Sequence, residues 1–110
     1  MASPHVLELT EENFATEVLK SSQPVMVDFW AEWCQPCRIL GPTVDAVAEE
    51  FAGRVKVGKV DIENAREIAM QYGIQAIPTI MIFKGGQVVD RFSGLRNKAD
   101  LSSVLERALG

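Results

Sequence analysis

Hydrophobic and polar positions along the chain switch repeatedly between a strand-like and a helical period. Val6 to Leu9 form a short apolar run that predicts an edge strand, and Thr10-Glu11-Glu12-Asn13 then supplies an N-cap and first-turn acids for a helix whose apolar face begins with Phe14 and Val18. After Pro24, the run Val25-Met26-Val27-Asp28-Phe29-Trp30 is almost continuously apolar, which predicts a strand covered on both faces in a largely parallel sheet. Leu40, Val44, Val47, Ala48 and Phe51 fall on one helical face that ends near Gly53, and Pro42 inside that pattern predicts a kink. Val55, Val57 and Val60 to Ile62 read as a further strand. Asn64-Ala65-Arg66-Glu67 resembles a capping box opening a helix with Ile68, Ala69 and Tyr72, which Gly73 stops. Thr79 to Phe83 and Val88 to Phe92 flank the hairpin signal Lys84-Gly85-Gly86-Gln87, and Asn97 opens a last helix with Leu101, Val104, Leu105 and Ala108 inward.

Strand and helix therefore alternate three times before a hairpin and a final helix. The expected class is α/β, a central mixed five-stranded sheet flanked by four helices. Periodicity leaves the strand order open. With 110 residues and 47% hydrophobic content, the chain suffices for one core and is too short for two, so residues 1–110 are expected to form a single domain.

The formal net charge of −4 removes the basic field that nucleic acid would need, so no nucleic-acid partner is expected. Met1-Ala2-Ser3-Pro4-His5 carries neither a basic start nor an apolar stretch of signal-peptide length, and no apolar run approaches the roughly 20 residues that span a bilayer. A cytoplasmic protein with no membrane partner is the expectation. In that reducing compartment a close cysteine pair is more often catalytic or metal-binding than a structural staple.

The only two cysteines lie in Trp33-Cys34-Gln35-Pro36-Cys37, between the buried strand and the long helix. Pro36 suits a first helical turn, where its missing N–H costs nothing, and this leaves Cys34 at the helix edge with its sulfur toward solvent and Cys37 beneath it. The unpaired amides and positive dipole end of a helix N-terminus favour a thiolate, so Cys34 is the expected nucleophile and Cys37 the thiol that resolves a mixed disulfide. Structural zinc would need two further ligands where the chain offers only His5. A static disulfide this short would constrain little unfolded-chain entropy.

Asp28 is a carboxylate among apolar neighbours, so burial should push its pKa upward and let it accept a proton from Cys37. A simple pairing with Lys59, on the next predicted strand, is the compatible alternative. Trp30 is assigned to the core and Trp33 to the surface. Pro78, in Ile77-Pro78-Thr79, either begins an edge strand or follows a cis bond, and the residues alone favour trans.

Taken together, Val27-Asp28-Phe29-Trp30-Ala31-Glu32-Trp33-Cys34 with Pro36-Cys37, then Ile77-Pro78-Thr79, Phe83-Lys84 and Gly86 in order, resemble the thioredoxin family over nearly the whole chain. The resemblance implies the thioredoxin fold and a general dithiol donor with no bound cofactor. Its electrons would come from NADPH through a flavin-containing thioredoxin reductase, its clients would be disulfide-containing proteins, and a monomer is expected. It also implies a cis Ile77-Pro78 bond, against the residue-only reading. Trp33, Ile62, Ala76, Ile77 and Gly94 would border a shallow apolar docking surface, joined by Gln35, Pro36 and Pro78. Asp28 and Lys59 would form the family's buried proton-handling pair. Gln35 replaces the usual glycine, Ala76 stands where glycine is frequent, and Ser93 and Leu95 flank Gly94 where smaller apolar residues are common. A neutral Gln35 should alter the reduction potential only modestly. Two other readings remain: a thioredoxin-fold binding subunit of a larger assembly with incidental redox activity, and a disulfide oxidase or isomerase.

Overall fold

The computed structural model describes residues 3–110. Positions 1 and 2 of the expected 1–110 domain, and the part of the N-terminal reading that rests on them, lie outside the described residues. Five strands, β1 (Val6–Leu9), β2 (Val25–Trp30), β3 (Lys56–Asp61), β4 (Thr79–Lys84) and β5 (Gln87–Ser93), form one sheet in the order β1-β3-β2-β4-β5. β1 and β2 both run parallel to β3, while β4 runs antiparallel to β2 and β5 antiparallel to β4. This is the expected mixed sheet, with the strand order supplied by contacts that no local period encodes.

β2 sits at the centre because its sequence can be buried on both faces. Its alternate side chains divide between two cores. Met26 packs with α1 (Gln35–Glu50) and α3 (Lys98–Leu109), through residues such as Leu40, Val44, Leu101 and Leu105. Val25, Val27 and Phe29 pack on the opposite face with Phe14, which caps the helical segment Ala15–Leu19, with Val18 inside that segment, and with Ile68 of α2 (Arg66–Gln71). By this alternation Asp28 and Trp30 share the face of Met26, the side on which α1 lies. Pro42 lies inside α1.

Two helix starts differ from expectation. Thr10 and Asn13 do bond reciprocally, Thr10 N–H to Asn13 Oδ1 at 2.7 Å and Asn13 N–H to Thr10 Oγ1 at 3.2 Å. The helix that follows is a single wide π turn, closed by the Lys20 N–H on the Ala15 carbonyl at 3.0 Å. Apolar spacing sets which side chains face inward without setting the ladder. Asn64 does not cap α2, which starts at Arg66. Asn64 is instead drawn into a turn on Asp61, donating N–H to its carbonyl at 3.1 Å and Nδ2 to its Oδ2 at 3.3 Å. Glu11 Oε2 takes the Glu67 N–H at 2.9 Å in its place, from 56 residues away.

Among the described residues no helix is long and apolar enough to cross a membrane. The β4–β5 hairpin turns through Gly85 at φ +60° and Gly86 at φ +79°, a conformation that favours glycine at both positions. Only Gly86 is also crowded: a Cβ there would lie 2.8 Å from the Leu19 carbonyl oxygen. Gly86→Ala should therefore destabilise the protein by roughly 1–3 kcal/mol in urea unfolding, whereas Gly85→Asn, which meets open space, should cost about 1 kcal/mol or less. Equal losses at the two positions would contradict the close approach to Leu19.

Candidate active site

The end of β2 and the start of α1 meet at Cys34, which serves as the helix N-cap in extended conformation (φ −90°, ψ 108°). The chain is pinned on both sides of it, with Cys34 N–H donating to Ala31 O at 3.1 Å and Arg38 N–H to Cys34 O at 3.2 Å. Cys37 lies about one turn into the helix, at a Cα–Cα distance of 5.3 Å, and is disulfide-bonded to Cys34. Its backbone N–H donates to Cys34 Sγ at 3.2 Å. A free N–H of the first helical turn thus points at the sulfur where negative charge would sit in the reduced protein. Pro36 falls in the first turn, as predicted.

The disulfide is less open than expected. Cys34 is 5% exposed and Cys37 3%, so the predicted contrast between a solvent-facing and a sheltered sulfur is small in the oxidised form. Ile62, Ile77 and Trp30 pack against Ala31 and the two cysteines and close them in. Trp33 is 67% exposed and donates Nε1–H to Glu63 Oε2 at 3.2 Å, while Gln35, Pro36 and Ala76 are also exposed.

The Ile77-Pro78 bond is cis, which corrects the residue-only reading and agrees with the resemblance. The intrinsic trans preference of an X–Pro bond is only about 0.5–1 kcal/mol, small enough for surrounding contacts to decide. Those contacts are specific. Cys34 Sγ lies 3.7 Å from the Ile77 carbonyl oxygen, and Gly94 N–H donates to the Pro78 carbonyl at 2.9 Å. Thr79 Oγ1 donates to Ala76 O at 2.5 Å and stands 2.8 Å from Ser93 Oγ. One hydroxyl has one proton, so with Thr79 committed to Ala76 the Ser93 hydroxyl donates to Thr79. Sequence reasoning missed this pair of hydroxyls behind the proline loop. Its only sign was a threonine opening an apolar strand opposite a serine near the end of the hairpin.

Asp28 is 1% exposed, and neither carboxylate oxygen has a hydrogen-bond partner. Burial raises its pKa from an ordinary 3.8 to about 7, partly opposed by the positive charge of Lys59. The two residues are register partners on β2 and β3, as expected for neighbours on one face. They do not close into an ion pair, and this corrects the pairing expectation. The Lys59 ammonium lies over the Trp30 ring, 5.5 Å from its centroid, and close to Gly41 of α1. There it borders a cavity of about 400 Å³ that Trp30, Cys37, Arg38 and Asp45 also line. The cavity thus brings Cys37 and the Lys59 ammonium together, while Asp28 lies on the same face of the sheet, register-paired with Lys59. Among the described residues no group of three His, Cys, Asp or Glu side chains could hold a metal ion.

A sequence model of the thioredoxin family matches residues 5–107. Over 102 residues the chain is 50% identical to "Thioredoxin 1" of Nostoc sp., covering 93% of this chain and 95% of that protein. It is 48% identical to "Thioredoxin 1" of Synechococcus elongatus over 92% of this chain and 94% of that one. To the "Thioredoxin" of Synechocystis sp. it is 47% identical, over 93% and 95% of the two chains.

The raised Asp28 pKa makes stability depend on pH with a definite sign. Between the unfolded value near 3.8 and the folded value of about 7 the native protein binds the extra proton, so stability falls as pH rises through this window. The shift of about 3 units corresponds to roughly 4 kcal/mol, fully lost above the folded value. Asp28→Asn should remove this slope, so that the variant gains on the wild type in urea unfolding from pH 4 to pH 8. Parallel stability curves for the two proteins would show that burial does not hold the Asp28 proton.

Proposed function

The chain belongs to the thioredoxin family and is a dithiol–disulfide oxidoreductase, and from that premise we propose that it is a general reductant of protein disulfides in the cytoplasm. The observation that carries the reading is the Cys34–Cys37 disulfide at the start of α1, with the Cys37 amide aimed at Cys34 Sγ. We assign residues 1–110 to one domain that acts as a monomer.

The exchange balances with these two sulfurs alone. In the reduced protein the Cys34 thiolate attacks one sulfur of a client disulfide, forming a mixed disulfide and expelling the client's other sulfur as a thiolate. Cys37 then gives its proton to Asp28 and attacks Cys34 Sγ. The bond between Cys34 and the client breaks, the client leaves with both sulfurs reduced, and two electrons have passed to it. Asp28 suits the proton step because its pKa lies near neutrality, and Lys59, on the cavity beside Cys37, offsets the charge that Asp28 carries before it takes the proton. Electrons return from NADPH through a flavin-containing thioredoxin reductase, so the protein carries electrons without a bound cofactor.

Trp33, Gln35, Pro36, Ile62 and Ala76 form the client-facing rim in this reading, with Ile77, Pro78 and Gly94 beside the disulfide. No backbone group among the described residues pairs with the N–H or C=O of Ile77, whose carbonyl meets Cys34 Sγ at 3.7 Å, and in this reading both bond to an extended client segment as a short added strand.

Insulin reduction tests the proposal, first with dithiothreitol and then with a thioredoxin reductase and NADPH. The wild type should accelerate insulin reduction in both and consume NADPH in the second. Cys37→Ser should stall as a mixed disulfide with the client, while Cys34→Ser should neither turn over nor form the adduct. Activity surviving in Cys34→Ser, or no NADPH consumption with the reductase present, would overturn the assignment.

A further inference from the structure

Two of the exposed large apolar side chains, Ile39 at 56% and Leu95 at 50%, line one surface groove of about 370 Å³. Isolated exposed apolar residues are ordinary, but two that share a concave surface next to a reacting centre are not. One wall is α1, where Gln35, Ile39 and Thr43 follow each other at a spacing of four along the helix that Cys34 caps. The other wall is the segment after β5, which begins at Gly94, bonded to the Pro78 carbonyl at 2.9 Å. Both walls therefore start at the elements that flank the disulfide, and the groove continues the surface that a client must cover to bond to Cys34.

Two charged residues, Arg96 and Asp100, stand at its rim. The Arg96 guanidinium stacks on Phe92, 4.6 Å from the ring centroid, and donates Nη1–H to the carbonyls of Leu95 at 3.2 Å and Ser93 at 3.4 Å. Ile39, Leu40 and Leu95 supply the apolar part of the lining, beside the polar Thr43, Asn97 and Asp100. We propose that this groove is a specificity subsite that takes one uncharged apolar side chain of the client polypeptide, close in sequence to its reacting cysteine. The proposal rests on the reading of the chain as a reductant of protein disulfides. The occupant is fixed by continuity with the Cys34 surface, and its chemistry by the apolar part of the lining. The exchange reaction itself is unchanged.

Peptides carrying a single cysteine as its mixed disulfide with 2-nitro-5-thiobenzoate test the subsite, with one leucine moved along the flanking positions of an alanine frame. Reduced wild type should release the chromophore about tenfold faster from the peptide with leucine in one register than from the all-alanine peptide, and a glutamate in that register should give no gain. In Ile39→Ser and Leu95→Ser the preference should shrink to about twofold or less, and Leu95→Met should restore most of it. Should Ile39→Ser fail to fold, the Leu95→Ser and Leu95→Met pair carries the same comparison. Exchange by the wild type without a preferred register, or a preference that survives both substitutions, would overturn the subsite alone. No exchange with any peptide would overturn the protein-disulfide reading and the subsite with it. A concentration-dependent doubling of mass abolished by the same substitutions would assign the groove to a second copy and refute the proposal as well.

Discussion

The hydrogen bond from the Cys37 amide to Cys34 Sγ is the contact on which the chemistry depends. A helix must leave its first amides without intrahelical partners, and most proteins spend an oxygen on them. Here the acceptor is a sulfur that can carry a negative charge, so the need to cap α1 and the need to stabilise a thiolate are met by one atom. The geometry requires β2 to end and α1 to begin at fixed positions. The burial of β2 on both faces secures the first, and the packing of Leu40, Val44 and Val47 on the sheet secures the second. Neither of the two large cores includes Cys34 or Cys37.

Asp28 sets a second constraint, opposite in sign to ordinary stability. A carboxyl group with no partner in a central strand lowers the stability of the ionised protein, and a leucine or valine there would suit β2 better. What burial gives the position is a carboxyl group with a pKa of about 7, on the face of the sheet that α1 covers. Lys59 moderates the effect from across the register without cancelling it, since its ammonium sits over Trp30 and not on the carboxylate. A closed ion pair would have pulled the Asp28 pKa down toward the ordinary carboxylate range.

Much of this was legible in the chain because the signals are local. The continuous apolar run of β2, the Cys-x-x-Cys spacing with Pro36, and the Gly85-Gly86 turn each act within a few residues, and each appears where expected. What escaped depends on groups distant in sequence. The capping of α2 by Glu11 spans 56 residues, and the proline loop is held by Ser93 at the end of β5 and by Gly94 just after it. The same holds for Lys59, whose position depends on Trp30 and Gly41, and for the modest exposure of Cys34, which depends on Ile62 and Ile77. A sequence pattern shows which residues will be buried, and much less of what they will be buried against.

The most direct measurement is the rate at which iodoacetamide alkylates the reduced protein as a function of pH, with mass spectrometry locating the modified cysteine. If the start of α1 stabilises the Cys34 thiolate, Cys34 reacts first, with a titration midpoint well below the value of about 8.5 for a free cysteine. A midpoint at or above that value, or preferential modification of Cys37, would contradict the account.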